Sequence, residues 1–143
     1  MQQLKVTSLQ LRRTEKDFLI RKDPKYIEQH HSDYLQLQAQ ISVLRGLNEQ
    51  IGGSIPVDDI AKLFADYREQ FVQLTNAMQA KGLDKNSGRY GELRAATHKL
   101  EETFKASNNS ENHISLLTVR RHEKDYMLRG DTSYLSKLDV ELA

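Results

Sequence analysis

Residues 24–51 read PKYIEQHHSDYLQLQAQISVLRGLNEQI, and their apolar side chains recur at the spacing of an α-helix. One face of such a helix carries a continuous stripe, made by Ile27, Tyr34, Leu37, Ile41 and Leu44. A stripe of this kind is typical of an amphipathic helix that buries one side in a core. His30 falls on the stripe, where a satisfied core histidine is the more common finding than a ligand. The stretch therefore predicts a long helix with an apolar inner face.

The sequence also predicts where this helix begins and ends. Asp23 is a good N-cap, and Pro24 fits the first helical position because its fixed φ suits a helix start. Gly52 and Gly53 end the stripe. A first helical segment is predicted at residues 4–22, and it stops where Pro24 disfavours helical dihedrals in the residue before it. Because no loop separates the two segments, one kinked helix remains an alternative.

Two further segments follow the glycine pair. In the third, apolar residues repeat at helical spacing up to Gly82, with Ser54 or Asp58 expected as its cap. A fourth is predicted from Arg89 to Arg129, about 40 residues or ~60 Å long if it is continuous, although Asn108, Asn109 and Ser110 weaken its middle. No segment alternates with the period of a strand. The fold class predicted is all-α, an elongated antiparallel four-helix bundle.

Composition excludes several classes of protein. The 143 residues fit one domain, and the net charge of +1 does not indicate a nucleic-acid partner. The chain has no cysteine, which excludes disulfides, thiolate zinc sites and cysteine nucleophiles. It has no signal-peptide pattern, and no apolar run approaches the ~18 residues of a membrane-spanning helix.

A repeated motif is the most informative feature of the sequence. LRRTEKDFLIR at residues 11–21 recurs as VRRHEKDYMLR at residues 119–129. Asp131 and Tyr134 in the second copy match the first copy's Asp23 and Tyr26, so the second copy is also predicted to end one helix and cap the next. The apolar stripe that follows stops at Ala143 without a cap, and the sequence looks cut within an element.

On a helical wheel both copies are apolar on two opposite sides. Arg13 falls within the second apolar side of its copy, between Leu9 and Ile20, and Arg121 lies in the same place in the second copy. A guanidinium in an apolar seam requires an anion, because an unpaired buried charge is costly. The alternative is a local ladder, in which Arg13, Asp17 and Arg21 satisfy one another at i,i+4 spacing on a solvated face.

The twin motifs resemble the helical bimodular sensor domain of bacterial chemoreceptors and some sensor kinases. GRYGELRAATHKLE at residues 88–101 is similar to another stretch of that family. The resemblance covers most of the chain and implies two stacked four-helix bundles, of which residues 1–143 would supply about the first four helices and the start of a fifth. It also implies an extracytoplasmic, periplasmic domain of a membrane-anchored protein, a homodimer, and binding of small C2–C6 carboxylates that shifts helices and transmits a signal.

By this resemblance the carboxylate contacts are basic residues of the two motifs: Arg12, Arg13, Lys16, Arg120, Arg121 and Arg129. Tyr90 and Arg94, at the start of the fourth segment, would serve a second small-anion pocket, or else be a helix-end core residue and a surface residue.

Enzymatic function is not expected. The five histidines form no metal-binding or catalytic pattern, and the chain has no glycine-rich phosphate loop or serine elbow. We therefore expect no cofactor and no metal. His98 is expected to bond to Glu101 on the helix surface. Two other functions stay open, namely a structural or adaptor bundle that binds a partner helix through the second apolar side, and a sensor that binds a periplasmic solute-binding protein.

Overall fold

This computed structural model describes the backbone of residues 2–106 and 110–142, and the side chains of residues 2–106 and 114–141. Within those ranges all the regular structure is helical, so the prediction of an all-α fold is confirmed. The helices are α1 (Gln2–Arg21), α2 (Lys25–Gln50), α3 (Val57–Lys81), α4 (Gly88–Ala106), α5 (Ser110–Arg129) and α6 (Ser133–Leu142). The chain divides into two compact units, Met1–Arg89 and Tyr90–Ala143.

In the first unit, α1 and α2 fold back on each other as an antiparallel hairpin. The Thr14 hydroxyl donates to Asp33 over 2.9 Å, and the Gln40 amide donates to Thr7 over 2.9 Å. The alternative of one kinked helix is therefore wrong. The chain reverses because Lys22 takes the left-handed conformation, with φ of 54°, and this ends α1 before Pro24.

Helix α3 completes a three-helix core on this hairpin. Phe71 of α3 meets Phe18 of α1 edge to face, with ring centroids 5.9 Å apart. It also stacks on His30 of α2, with centroids 3.9 Å apart. His30 is fully buried, so its position in the core is confirmed, although its Nδ1 lacks a hydrogen-bond partner among the described residues and the ring is not fully satisfied. A neighbouring cluster of buried aliphatic residues comes from α1, α2 and the start of α3: Leu11, Leu37, Ile41 and Val57.

The helix ends agree with the sequence in most places. Gly82, with φ of 114°, ends α3. At the start of α2, the Asp23 carboxylate accepts a hydrogen bond of 3.0 Å from the Lys25 backbone N–H. The predicted caps of α3 are wrong, because no side chain in the described part of the chain caps its N-terminus at Pro56. Asp58 instead accepts hydrogen bonds from Arg45 of α2, the shorter being 2.7 Å.

The repeated motif builds the same turn in the second unit. Gly130 stands where Lys22 stands in the first copy and has φ of 66°. Asp131 accepts a hydrogen bond of 2.9 Å from the Ser133 backbone N–H, as Asp23 does from Lys25. The prediction that the second copy ends one helix and caps the next is therefore confirmed.

The predicted fourth segment corresponds to two helices, α4 and α5. Whether Asn108 and Asn109 interrupt it lies outside the described residues. The apolar stripe after the second motif forms α6, so the described residues hold six helices where the sequence suggested four segments and the start of another. The second unit buries Thr97 of α4 and Leu116 of α5.

Candidate functional site

An open groove runs between α1 and α3 in the first unit, with a volume of about 510 Å³. We call it the α1–α3 groove, and it is lined by Ser8, Arg12, Ile60, Leu63, Phe64 and Tyr67. Leu63 is 69% exposed within it. Most of this surface is hydrocarbon, while Arg12 and Ser8 supply polar groups from α1. A mainly apolar concavity with a few polar groups is the usual form of a small-molecule site.

Tyr67 connects the groove to both neighbouring helices. Its hydroxyl donates a hydrogen bond of 2.5 Å to Glu15 of α1. Nε2 of His30, on α2, lies 3.4 Å from the same hydroxyl. A single side chain of α3 therefore holds contacts with both helices of the hairpin beside the groove.

Burial sets the protonation of these groups. It raises the pKa of Tyr67, and the hydrogen bond to the Glu15 carboxylate raises it further, against the opposing charge of Arg12. Burial, followed by the charge of Arg68, lowers the pKa of His30 to about 4. At pH 7 the phenol and the imidazole are therefore both neutral.

Arg13 lies in a local ladder. Its Nε is 4.0 Å from Asp17, whose carboxylate is also 3.7 Å from Arg21. The side chain of Arg13 is 76% exposed, and Leu9 and Ile20 beside it are exposed as well. The local-ladder interpretation of the sequence therefore describes Arg13 in this unit. Lys16 is exposed and does not line the groove.

The second copy of the motif shows a different set of partners. Arg120 of α5 forms a half-buried ion pair with Glu101 of α4. Burial would raise the pKa of Glu101, but the hydrogen bond and charge of Arg120 outweigh it and hold that pKa below its usual value. Arg129 lies 4.0 Å from Asp125, and its guanidinium donates to the Tyr134 hydroxyl over 3.1 Å.

The remaining predicted residues are placed as follows. Arg121 and Arg94 are exposed, and Tyr90 is half-buried at the start of the second unit. His98 lies 3.4 Å from Glu101, as expected for a bond on the helix surface. Of the eight predicted contacts, Arg12 is the one that lines the α1–α3 groove.

The α3 side of the groove was missed by the sequence analysis. The apolar residues of the third segment were predicted only to repeat at helical spacing, and Ile60, Leu63, Phe64 and Tyr67 are among them. A signal was present, because adjacent apolar residues such as Leu63 and Phe64 point about 100° apart on a helix and widen the stripe beyond what one contact needs. Leu63 is not buried in the core and lines the groove instead.

Within the described residues, no group of three or more acidic or histidine side chains is placed to hold a metal. No helix among them is long and apolar enough to cross a bilayer. Comparisons with protein-family models, curated proteins and solved structures found no match to this chain.

Proposed function

We propose that this chain is the ligand-binding sensor domain of a bacterial transmembrane chemoreceptor or sensor kinase, and that it recognises small organic acids. The observation that carries the proposal is the α1–α3 groove, in which Arg12 of a repeated basic motif borders a hydrocarbon wall. A guanidinium is the side chain best suited to a carboxylate, because its planar donors match both oxygens. The resemblance of the twin motifs to the helical bimodular sensor domain supports the same conclusion.

The groove suggests how binding would become a signal. A carboxylate on Arg12, with its carbon skeleton between α1 and α3, would alter the spacing of these two helices. The hydrogen bond from Tyr67 to Glu15 joins the same helices, so a shift of α3 would be transmitted to α1. In the proposed setting, α1 belongs to a periplasmic, dimeric domain anchored in the membrane outside the described chain.

A thermal-shift screen of C2–C6 carboxylates tests the proposal. A ligand that binds only the native state at 100 times its Kd stabilises it by about 2.7 kcal/mol, which is several degrees for a protein of this size. Arg12→Gln should remove the shift, whereas Arg13→Gln should keep it, because Arg13 is paired with Asp17 outside the groove. If no acid shifts the melting temperature of a folded chain, or if both variants respond alike, the proposal is wrong.

A second candidate function rests on a different surface. Val6, Leu9 and Ile20 of α1 are 66%, 55% and 79% exposed. Such a row of aliphatic residues would suit a structural or adaptor bundle that binds a partner helix, or a sensor that binds a solute-binding protein. Leu9→Gln with Ile20→Gln should abolish binding in either case and leave any acid-induced thermal shift unchanged.

A further inference from the structure

The α1–α3 groove is larger than a short organic acid requires. Its volume is about 510 Å³. This falls within the roughly 300–1,000 Å³ of sites that hold drug-sized ligands. A straight-chain monocarboxylate of two to six carbons has only about four to eight non-hydrogen atoms, and it would leave much of the apolar wall in contact with water. Good small-molecule sites bury most of their ligand.

The polarity of the groove favours one anionic group and no more. Among the described residues that line it, Arg12 carries the positive charge, and Ile60, Leu63 and Phe64 provide hydrocarbon. A second carboxylate would lie against this wall without a partner, which is costly. Near Tyr67 it would meet the carboxylate of Glu15, which already accepts the Tyr67 hydroxyl, and like charges repel.

We propose that the α1–α3 groove selects monocarboxylates with an extended hydrocarbon body of about eight to twelve carbons. This inference rests on the carboxylate-binding role proposed above. The carboxylate pairs with Arg12, and the chain lies along α3 over Leu63. Affinity then rises with chain length, because each added methylene removes more apolar surface from water.

Titration calorimetry on the full chain, with a series of straight-chain acids from acetate to decanoate, tests this inference. All acids are used below the concentration at which they form micelles. We expect binding to tighten about two- to four-fold with each methylene beyond hexanoate. Octanoate should bind at least ten-fold more tightly than its dicarboxylate analogue, suberate, and than 1-octanol, which has the tail but no charge.

Two pairs of variants locate the effect. Leu63→Gln should flatten the dependence on chain length, while Leu9→Gln, an equally conservative change at an exposed position outside the groove, should keep it. Arg12→Gln should bring octanoate down to the affinity of 1-octanol, and Arg13→Gln should not. Leu63 and Leu9 are exposed, so the variants are expected to fold, and circular dichroism checks this.

The outcomes separate this inference from the proposed function. If C2–C6 acids bind through Arg12 but longer acids bind no better, the size selection is wrong and the sensor proposal stands. If no acid of any length binds, both are wrong. Equal binding of octanoate, suberate and 1-octanol would overturn the inference. So would light scattering that shows a dimer split by Leu63→Gln, because the groove would then hold a second copy.

Discussion

His30 is a buried ionisable residue whose protonation makes the stability of the first unit depend on pH. It is fully buried and stacks on Phe71, and its Nδ1 has no hydrogen-bond partner among the described residues. Burial, the charge of Arg68 and that of His31 lower its pKa to about 4, although Asp33 acts in the other direction. The folded unit therefore holds His30 in the neutral form, while the unfolded chain takes up a proton near pH 6.5.

This difference predicts a loss of stability on acidification. Because the folded pKa lies below the unfolded value, the unfolded state binds more protons between pH 6.5 and about 4, and the free energy of unfolding falls as the pH falls through that window. Denaturant unfolding at pH 7, 6 and 5 measures the slope. His30→Gln should flatten it and His31→Gln should not, since His31 is exposed. An unchanged slope in His30→Gln would contradict the prediction.

The hydrogen bond from Tyr67 to Glu15 is predicted to contribute to stability. Tyr67→Phe leaves a half-buried carboxylate without its donor, which should cost about 1–2 kcal/mol of the free energy of unfolding. Tyr34→Phe is the matched control, because the hydrogen bond recorded for the Tyr34 hydroxyl among the described residues comes from the exposed Gln38, and its loss should cost less than about 0.5 kcal/mol. Equal effects of the two changes in urea melts would show that Glu15 finds another donor.

At the scale of elements, the turn between α1 and α2 and the turn between α5 and α6 have the same backbone conformation but different residues. Lys22 and Gly130 occupy equivalent left-handed positions, and each backbone N–H donates over 2.7 Å to the carbonyl four residues earlier, Phe18 and Tyr126 respectively. Asp23 and Asp131 then start the next helix in both copies. Glycine suits this position, whereas a residue with a Cβ is strained there by about 1–2 kcal/mol.

Replacing Lys22 with glycine and Gly130 with lysine is predicted to change stability in opposite directions. Lys22→Gly should raise the free energy of unfolding by about 0.5 kcal/mol, because relief of strain exceeds the extra entropy of glycine in the unfolded chain. Gly130→Lys should lower the stability of the second unit by about 1 kcal/mol. Chemical denaturation followed by helical circular dichroism measures both. Destabilisation by Lys22→Gly would mean that the Lys22 side chain contributes more than its strain removes.

The same elements show how far the sequence can predict the structure. Apolar periodicity identified α1, α2 and α3, and Gly82 marked the end of α3, because these are local properties of the chain. The fold-back at Lys22 could not be distinguished from a kink, since a following proline only biases dihedrals. Packing of α1 against α2 decides between them.

The candidate site was predicted only in part, for a similar reason. Arg12 and Arg13 point about 100° apart on α1, and the wheel placed Arg13 in the apolar seam. The i,i+4 spacing already offered the pairing of Arg13 with Asp17, but only the position of α3 shows that Arg12 borders the groove. Residues contributed by a distant helix, such as Leu63, cannot be assigned to a site from spacing within one segment.

At the scale of the whole molecule, the first unit contains its own core and the whole candidate site. The buried cluster of Leu11, Leu37, Ile41 and Val57 lies within Met1–Arg89, and so does the entire α1–α3 groove. A length near 90 residues is enough for a core that folds alone. We therefore predict that residues 1–86, which end before α4, form a folded three-helix unit.

This fragment should unfold cooperatively and retain the carboxylate affinity of the full chain within about two-fold, because every residue that lines the groove is present. Calorimetric melting and titration with octanoate measure the two properties, and the Arg12→Gln fragment is the control for binding. A fragment that melts without cooperativity would show that the first unit needs the rest of the chain. A folded fragment that has lost affinity would place an essential ligand contact after residue 86, and the binding role would then extend beyond the three helices that form the groove.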